Sequence, residues 1–507
     1  MSDQQRSDDF AFLDIDRNPV PYRLPATRVD FFDVADLKGL RNGNYDNQVK
    51  TQAKRCTGCG MPWCHTDFGC PIYNLIPDWL AAIKVDNWHG ALRLLEKTND
   101  FPEFTGRICP APCEGSCTHQ ELGSVTIKNA EFHIVGMGFR KGWIVAKPPK
   151  FRTGKRVAII GSGPAGLAAA NQLNQAGHQV DVYEQADEIG GLLFYGIPTV
   201  KLEKWMVHRR VNLMKEEGVN FITRTRVGSA EEFAPWHQAA MCEGLKTITL
   251  KSLQDKYDAV LIATGAALPR SITAYRQSKI LPGHNLSGIH FAMEYLTKCT
   301  QDILAKRELR ISAKGLNVVI LGAGDTASDC AAYALRSDAE SIHIFDTYPL
   351  RPEKRAENNP WPQQPDIFTI DYAVADCIEK YGYDPRVYEV SATGFIGKGG
   401  RVSEIQYGHI LRNNGQISFS TAGRYKADLV LIATGFTGAE TIPTLSYSPD
   451  QQVISVKGEG CQTSIDGVFA TGDCTRGASL VVWAIHDGRT AAKSIDEHLM
   501  GSSSLPG

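Results

Sequence analysis

Arg156-Val-Ala-Ile-Ile160 runs directly into Gly161-Ser-Gly163-Pro-Ala-Gly166, and an apolar pattern of helical period follows at once. The apolar run predicts a buried parallel strand, and the whole unit is the strand–turn–helix fingerprint of a dinucleotide-binding Rossmann fold. Gly161 is expected to make the tight turn, Gly163 to let the backbone approach a pyrophosphate, and Gly166 to allow close packing of the helix. The helix N-terminus would add amide donors and partial positive charge for the phosphates.

The next predicted strand ends in an acidic residue. Gln179-Val-Asp-Val-Tyr183 leads into Glu184, whose carboxylate is placed to accept hydrogen bonds from the adenosine ribose. A lone GxGxxG is weak because glycine turns occur at many strand-to-helix junctions, whereas the complete unit with its terminal acid is strong. The dinucleotide contacts predicted in this unit are Gly161, Gly163, Pro164, Ala165, Gly166 and Glu184.

The pattern returns further along the chain. Leu316-Asn-Val-Val-Ile-Leu321 leads into a second glycine turn, and the strand Ser341-Ile-His-Ile-Phe345 again ends in an acid. Two fingerprints predict two dinucleotides, and we expect FAD and a nicotinamide cofactor because hydride transfer needs a donor and an acceptor. The contacts predicted in the second unit are Gly322, Gly324, Asp325, Thr326 and Asp346.

The residues after the second unit bear on the choice between NADH and NADPH. Asp346 would suit the 2′-hydroxyl of NADH, whereas Arg351, Lys354 and Arg355 follow within reach of a 2′-phosphate. The alternative for these three basic residues is an ordinary solvated loop. The nicotinamide preference therefore stays open.

Two near-copies of one strand frame the second unit. Ala259-Val-Leu-Ile-Ala-Thr-Gly265 and Asp428-Leu-Val-Leu-Ile-Ala-Thr-Gly435 both end in Ala-Thr-Gly. We expect the chain to leave the FAD domain and to return to it at these crossings, and we predict cofactor contacts at Thr264, Gly265 and Gly435. The nicotinamide domain is then an insertion in the FAD domain.

A further strand and helix are predicted near the C-terminus. Gly467-Val-Phe-Ala-Thr-Gly-Asp473 predicts a strand ending in an acid, and Ser479-Leu-Val-Val-Trp-Ala-Ile485 predicts a helix. Asp473 could bind the ribityl chain of the flavin, and the helix N-terminus would face its pyrimidine edge. The contacts predicted here are Gly472, Asp473, Ser479, Leu480 and Val481.

Seven of the thirteen cysteines lie in the N-terminal part, as Cys56-x2-Cys59-x4-Cys64-x5-Cys70 and Cys109-x3-Cys113-x3-Cys117. A disulfide framework is the weakest interpretation, because the polar N-terminus lacks a secretory signal pattern and a reducing compartment is expected. Zinc is a serious alternative. However, only one pair has zinc-ribbon spacing, and seven thiols do not divide into closed tetrahedral sites. Iron–sulfur ligation accounts better for the uneven spacing.

Two four-iron clusters need one more ligand than the seven cysteines supply. Glu131 lies shortly after Cys117 in a segment with a helical pattern, and its carboxylate could complete the set. A solvated helix glutamate is the alternative interpretation, and His65 and His119 are rival ligands.

The predicted fold class is α/β, with two Rossmann-like dinucleotide-binding domains preceded by a mainly helical iron–sulfur domain. The predicted domains are residues 1–150 for the helical domain with two 4Fe-4S clusters, 151–283 and 437–507 for the two parts of the FAD domain, and 284–436 for the NAD(P)H domain.

Composition narrows the possible functions. The 507-residue chain carries 54 Lys and Arg against 56 Asp and Glu, a net charge of −2, so we expect no nucleic-acid partner. The chain contains no run of ~18 apolar residues, so we predict no membrane span and expect a soluble, cytoplasmic protein.

The other six cysteines are isolated from one another, and no CxxC follows Cys59. That absence argues against a disulfide reductase with a paired dithiol at the flavin.

Over nearly its whole length the chain resembles the small (beta) subunit family of glutamate synthase, which is also the prototype of the N-terminal half of dihydropyrimidine dehydrogenase. The strings that carry the resemblance are Cys56-Thr-Gly-Cys-Gly-Met-Pro-Trp-Cys64, Gly106-Arg-Ile-Cys-Pro-Ala-Pro-Cys-Glu-Gly-Ser-Cys117, Gly190-Gly-Leu-Leu-Phe-Tyr-Gly-Ile-Pro198 with Lys201-Leu202, Asn359-Pro-Trp-Pro362 and Leu480-Val-Val-Trp-Ala-Ile485.

The resemblance implies a division of the cluster ligands. One 4Fe-4S cluster would be held by Cys56, Cys59, Cys64 and Cys117, and the other by Cys70, Cys109, Cys113 and Glu131. We also predict cofactor contacts at Gly191, Leu192 and Lys201. The segment 229–250 matches no pattern and receives no role.

The resemblance also implies the activity and the partner. The chain would oxidise NAD(P)H at FAD and pass electrons through the clusters to a large (alpha) subunit carrying FMN, which makes glutamate from glutamine and 2-oxoglutarate. No side-chain acid or nucleophile is expected, because the cofactors carry the chemistry. The alternatives are a related NAD(P)H oxidoreductase serving pyrimidine reduction or ferredoxin, a zinc-bearing interaction module fused to a flavin reductase, and a non-catalytic electron-transfer scaffold.

Overall fold

A computed structural model describes residues 11–31, 33–228, 244–273, 279–413, 416–448, 452–458 and 461–506. Residues 229–243, which include Cys242, lie outside the described residues. They belong to the segment without a predicted role.

The N-terminal domain is helical, as its sequence predicts. Its helices are α1 (Ala11–Asp14), α2 (Leu37–Asn42), α3 (Asp46–Ala53), α4 (Ile76–Lys84), α5 (Trp88–Leu95), α6 (Pro102–Ile108), α7 (Pro112–Gly115) and α8 (Ile127–Arg140), with short turns at Pro25–Thr27, Trp63–His65 and Gln120–Leu122. Asn87 caps α5 by accepting a hydrogen bond from Gly90 N at 2.9 Å. Trp79, Phe101 and Phe104 are fully buried and form the centre of the core.

The rest of the chain alternates strands and helices. The strands are β1 (Arg156–Ile160), β2 (Gln179–Tyr183), β3 (Asn220–Ile222), β4 (Thr225–Val227), β5 (Lys246–Ile248), β6 (Ala259–Ile262), β7 (Leu268–Pro269), β8 (Ile289–Phe291), β9 (Asn317–Leu321), β10 (Ser341–Phe345), β11 (Arg386–Val387), β12 (Val390–Lys398), β13 (Arg401–Asn413), β14 (Gln416–Lys426), β15 (Leu429–Ile432), β16 (Phe436–Gly438) and β17 (Val468–Ala470). The helices are α9 (Pro164–Gln175), α10 (Lys204–Glu216), α11 (Leu250–Gln254), α12 (Ala292–Leu304), α13 (Asp325–Arg336), α14 (Tyr372–Tyr381), α15 (Asp473–Arg476) and α16 (Val481–Met500), with a π-helical turn at Leu192–Gly196.

The first fingerprint lies in a five-stranded parallel sheet with strand order β17-β6-β1-β2-β3. Residues 157–160 of β1 are buried, as expected for a central parallel strand covered on both faces. Helices α9 and α16 pack against each other on this sheet. The strand order brings the ends of β1, β2, β6 and β17 to one edge, where Rossmann-like folds bind their ligands.

The second fingerprint lies in a separate five-stranded parallel sheet with order β11-β10-β9-β15-β8. A three-stranded antiparallel sheet, β12-β13-β14, belongs to the same part of the chain. The two crossings between the Rossmann-like domains pair as the ribbon β7-β16. The predicted α/β fold class with a helical domain in front is confirmed.

Buried ion pairs fasten the helical domain to the FAD domain. The two carboxylate oxygens of Glu103 in α6 accept hydrogen bonds from Nε and Nη2 of Arg210 in α10 at 2.6 and 2.9 Å. Asp100 Oδ2 accepts from Arg489 Nη1 of α16 at 2.7 Å. All four side chains are buried, so the contact between the two domains is held by charges that water does not screen.

Glu103→Ala is expected to lower the free energy of unfolding by about 3–5 kcal/mol, because it leaves the Arg210 guanidinium buried without its carboxylate. Urea denaturation followed by circular dichroism measures the change. Arg424→Ala is the matched control, since the Arg424–Glu404 pair is exposed and contributes about 1 kcal/mol or less. Equal losses in the two variants would contradict the structural role of the buried pair.

Among the helices of the described residues, none has the length and apolar character that crossing a bilayer requires.

Candidate redox site

A large cavity opens at the carboxyl edge of the first parallel sheet. It measures about 1630 Å³ including its mouth, and its wall combines the first fingerprint with the ends of β2, β6 and β17 and with α12 of the nicotinamide domain. The predicted residues that line it are Gly161, Gly163, Pro164, Ala165, Glu184, Gly191, Leu192, Thr264, Gly265 and Asp473.

The glycine turn of this cavity has the geometry that its spacing predicts. Gly161 has φ +102°, and a Cβ there would lie 2.4 Å from Ala263 O. A Cβ on Gly166 would lie 2.1 Å from Gly161 O, so the helix packs against the turn only because no side chain intervenes. At Gly163 a Cβ would meet nothing within 4 Å. The open space at the N-terminus of α9 is the place where a pyrophosphate would bind.

Glu184 is held in a fixed orientation at the end of β2. Its Oε2 accepts hydrogen bonds from Ser162 N at 3.0 Å and Ser162 Oγ at 2.6 Å, and its Oε1 accepts from Ala186 N at 2.9 Å. The carboxylate therefore lies between the glycine turn and the strand end, where adenosine ribose binding is predicted.

Two buried hydroxyls of the cavity wall indicate a polar ligand. Thr297 Oγ1 of α12 and Thr471 Oγ1 after β17 are buried and have no hydrogen-bond partner among the described residues. A buried polar atom without a partner costs free energy, so such atoms usually face a ligand or water. These hydroxyls, the open space at Gly163 and the oriented Glu184 together fit FAD.

Several predicted FAD contacts lie beside the cavity rather than on its wall. Ser479 Oγ donates to Asp473 Oδ1 at 2.5 Å, and burial raises the pKa of Asp473. Lys201 Nζ instead lies 3.4 Å from Asp329 Oδ1 in α13 of the nicotinamide domain. The predicted residues outside the cavity lining are Gly166, Lys201, Gly472, Ser479, Leu480 and Val481.

An ion pair on the cavity wall carries no sequence motif. Arg226 Nη1 lies 3.2 Å from Glu440 Oε2 and donates to Gln185 Oε1 at 3.0 Å, and all three residues line the cavity. Arg226 belongs to the short strand β4, and Glu440 follows the ribbon strand β16. Nothing in the local pattern of either segment distinguishes them from ordinary surface residues, so sequence reasoning missed both.

The second fingerprint repeats the geometry of the first. Gly322 has φ +106°, and a Cβ there would lie 2.4 Å from Ala433 O, whereas a Cβ on Gly324 would meet nothing within 4 Å. Asp325 and Thr326 begin α13 directly after this turn. Asp346 at the end of β10 is buried, and its Oδ1 accepts from Tyr348 N at 2.9 Å.

Two of the three predicted basic residues after Asp346, the arginines, take other partners. Arg351 pairs with Asp366. Arg355 Nη2 donates to Gly115 O of the helical domain at 3.0 Å and to Gln363 O at 2.7 Å. The structure thus places the Arg355 guanidinium on the helical domain rather than free beside Asp346. At the crossing after β15, Gly435 has φ +88° and is exposed.

The cysteines of the helical domain line two separate cavities. The first, of about 350 Å³ including its mouth, is lined by Cys56, Cys59, Cys64 and Cys117, and the second, of about 320 Å³ including its mouth, by Cys70, Cys109, Cys113 and Glu131. The structure therefore brings together the two sets that the resemblance implies. His119 also lines the first cavity, where its Nε2 lies 3.1 Å from Thr57 Oγ1, whereas His65 lines neither.

Each set of side chains surrounds a space, as the ligands of a four-iron cluster must.

Glu131 faces the second cavity from the buried side of α8. Asn99 Nδ2 donates to its Oε1 at 2.7 Å, and Thr105 Oγ1 donates to the same oxygen. Burial raises the pKa of Glu131 to about 7, while these two hydrogen bonds lower it. Glu131 is only 7% exposed, so the alternative of a solvated helix glutamate is wrong.

The thiols are correspondingly hard to ionise without a cluster. Burial raises the pKa of Cys109 to about 11 and that of Cys113 well above its usual range. Ligation would require thiolates, which the positive charge of bound iron would stabilise. The buried second set suits a permanently bound group rather than a free reactive thiol.

Two short helical segments connect the cavities. In the first turn of α16, Val482 lines the second thiol cavity and Ala484 lines the FAD cavity. Cys113 in helix α7 lines the second thiol cavity, and Cys117, two residues after the end of α7, lines the first. The three cavities thus follow one another in the order FAD cavity, second thiol cavity, first thiol cavity.

Comparisons with known proteins agree with this arrangement. A family model described as dihydropyrimidine dehydrogenase domain II, 4Fe-4S cluster, matches residues 34–143, and one described as pyridine nucleotide-disulphide oxidoreductase matches residues 155–358. The chain is 43% identical to the glutamate synthase (NADPH) small chain of Bacillus subtilis, over 98% of this chain and 99% of that protein. The chain belongs to the glutamate synthase small-chain family.

Further relatives fit the small-chain family. The glutamate synthase (NADPH) small chain of Mycobacterium tuberculosis is 40% identical over 97% of this chain and 94% of that protein. The glutamate synthase (NADH) of Schizosaccharomyces pombe is 40% identical over 98% of this chain, which spans only 23% of that longer protein. Family membership and the matched domains confirm the predicted oxidoreductase class and the predicted 4Fe-4S, FAD and NAD(P)H cofactors of this small chain.

Proposed function

We propose that the chain is the electron-input subunit of a glutamate synthase, which oxidises NAD(P)H and delivers the electrons to a large subunit carrying FMN. That large subunit would make glutamate from glutamine and 2-oxoglutarate. The Schizosaccharomyces pombe relative supports a partner, because its sequence continues well beyond the part that matches this chain.

The observation that carries this proposal is the order of the three cavities. Val482 and Ala484 lie two residues apart on α16, about 3 Å along the helix axis, yet they line the second thiol cavity and the FAD cavity. Cys113 in the single-turn helix α7 and Cys117 shortly after it then line the second and the first thiol cavity. When bound, the flavin would take a hydride from NAD(P)H, and the clusters would carry single electrons.

The chain's own residues bind and orient these groups. The first fingerprint and Glu184 would hold the FAD, and the second fingerprint and Asp346 would hold the nucleotide. We propose Cys56, Cys59, Cys64 and Cys117 as ligands of one 4Fe-4S cluster, and Cys70, Cys109, Cys113 and Glu131 as ligands of the other. Asn99 and Thr105 would orient the Glu131 carboxylate, as outer hydrogen bonds orient metal ligands elsewhere.

The chain purified under anaerobic conditions is expected to restore substrate-dependent NAD(P)H oxidation to an extract that lacks it. Oxidation of NADPH and of NADH is followed with and without glutamine plus 2-oxoglutarate, and we expect oxidation of the preferred nucleotide only when both substrates are present. Reduction of an added dye, which takes electrons at the flavin, is the control and should not need either substrate. Nucleotide oxidation that ignores both substrates would contradict the glutamate synthase role and indicate another acceptor.

A further inference from the structure

One loop of the nicotinamide domain is seated on the helical domain between the two thiol cavities. We call residues 355–365 the latch. Arg355 Nη2 donates to Gly115 O at 3.0 Å, and Trp361 Nε1 donates to Cys117 O at 3.3 Å. In the opposite direction, Ser116 Oγ donates to Pro362 O at 2.8 Å. Three successive residues, 115–117, thus take part in hydrogen bonds to the latch.

The shapes of the two surfaces match closely. A Cβ on Gly115 would lie 2.5 Å from Pro365 Cδ and 2.8 Å from Gln364 Oε1, so the latch occupies the space that a side chain would need. The Trp361 ring packs edge-on against Trp63, with 5.4 Å between centroids, and Trp63 lines the first thiol cavity.

The latch is shaped by its own hydrogen bonds. Asn359 Oδ1 accepts from Asp366 N at 2.8 Å, and Asn359 Nδ2 donates to Gln364 O at 3.0 Å. Arg355 also donates to Gln363 O at 2.7 Å. These internal bonds hold the loop in the docking conformation, so little conformational entropy is lost when it contacts the helical domain.

The helical domain in turn is fastened to the FAD domain. The buried pairs Glu103–Arg210 and Asp100–Arg489 join those two domains. The nicotinamide domain is connected covalently to the FAD domain through two crossing segments that pair as the short ribbon β7-β16. It also contacts that domain directly, through Lys201 Nζ 3.4 Å from Asp329 Oδ1 and through Thr199 N, which donates to Tyr333 Oη at 2.9 Å. The latch therefore adds a connection from the nicotinamide domain, through the helical domain, back to the FAD domain.

A second set of contacts joins the N-terminal segment to the nicotinamide domain. Arg28 of the N-terminal segment lies 3.0 Å from Asp376 of α14, and Arg336 Nε of α13 donates to Asp30 O at 2.7 Å. Two separate connections restrict rotation of a domain more than one does, because a single contact still permits pivoting about itself.

We propose that the latch is a positioning device that fixes the nicotinamide domain in the orientation required for hydride transfer to the flavin. This inference rests on the proposed function, and Arg355 and Trp361 are its positioning residues. Transfer of a hydride, two electrons and one proton, from nucleotide to flavin requires close approach of the two rings, and a displacement of about 1 Å can cost about 100-fold in rate.

The test uses Gly115→Ala in the complete chain, because one methyl group would wedge the latch away from α7. Gly136→Ala in α8 is the matched control, since a Cβ there meets nothing within 4 Å. Anaerobic stopped-flow absorbance measures flavin reduction by NADPH and NADH. We expect the rate constant at saturating nucleotide to fall about tenfold in Gly115→Ala, with the nucleotide Kd within about twofold of the unmodified chain. The control should reduce at the normal rate.

Arg355→Gln and Trp361→Ala test the same contact from the nicotinamide side, without changing a residue of the helical domain. If Gly115→Ala lowers the iron content, these two variants test the latch instead. We expect both to reduce the flavin about tenfold more slowly at saturating nucleotide, with FAD and iron retained. A normal reduction rate in both variants would overturn the proposal. A weaker nucleotide Kd in Arg355→Gln with an unchanged saturating rate would also overturn it, because that result would make Arg355 a phosphate ligand. If neither nucleotide reduces the flavin of the unmodified chain, the proposed function fails and the latch proposal fails with it.

Discussion

Cys109→Ala is expected to abolish electron delivery to the large subunit while flavin reduction by NAD(P)H continues. Cys109 lines the second thiol cavity, which lies between the FAD cavity and the first thiol cavity. Without this thiolate the proposed cluster would keep only Cys70, Cys113 and Glu131. Loss of the cluster would interrupt the proposed route from the FAD cavity through the second thiol cavity to the first thiol cavity. Glutamine-dependent NAD(P)H oxidation should therefore fall to background, whereas dye reduction at the flavin should persist.

Iron content and electron paramagnetic resonance distinguish loss of the cluster in one thiol cavity from loss of the cluster in the other. Cys109→Ala should lose about half of the iron, and Cys56→Ala in the first set should lose the other half, if each set holds four irons. Cys377→Ala is the matched control, because Cys377 is also fully buried but lies in α14 of the nicotinamide domain. Full iron content in both test variants would show that the ligand assignment is wrong.

The sequence predicts most of the cofactor-binding framework because the relevant signals are local. Each glycine turn follows its strand directly, and the acid at the end of the next strand is fixed by the register of adjacent parallel strands. Glu184 and Asp346 could therefore be identified by position alone, and the structure places both at strand ends. The division of the cysteines between two clusters could not be predicted from such local signals. Spacing left it open, and only the family resemblance implied the two sets that line separate cavities.

Residues that act across domains could not be predicted from local pattern. Arg355 follows Asp346 closely enough in sequence to predict a phosphate contact, but its guanidinium donates to Gly115 O instead. Thr297 and Arg226 reach the FAD cavity from elements without any motif. Val482 was predicted only as part of a helix, although it lines a thiol cavity. These contacts depend on how whole domains pack, and no short stretch of sequence encodes that packing.

Gly163→Ala and Gly324→Ala form a matched pair that should separate the two dinucleotide sites. Both glycines have backbone angles that alanine accepts, with φ −65° and ψ 178° at Gly163 and φ −84° and ψ −177° at Gly324. A Cβ at either position meets no protein atom within 4 Å. Each substitution should therefore leave the fold intact, and it should even stabilise it by about 0.4–1 kcal/mol through the lower entropy of the unfolded chain.

Each substitution should weaken ligand binding although it stabilises the fold. The added methyl group lies in front of a helix N-terminus, where a pyrophosphate would bind. A steric conflict of about 1–3 kcal/mol corresponds to an affinity loss of about 5–150-fold. Gly163→Ala should lose this factor in FAD affinity, measured by flavin titration of the apoprotein. Gly324→Ala should retain FAD and iron but bind NAD(P)H more weakly by the same factor, measured by flavin reduction at varied nucleotide concentration.

If Gly324→Ala loses FAD, or if Gly163→Ala retains FAD at normal affinity, then the assignment of the first fingerprint to FAD and of the second to the nicotinamide nucleotide is wrong. The pair is informative because two identical methyl groups, each in open space in the chain itself, can differ in effect only through the ligand that each one meets.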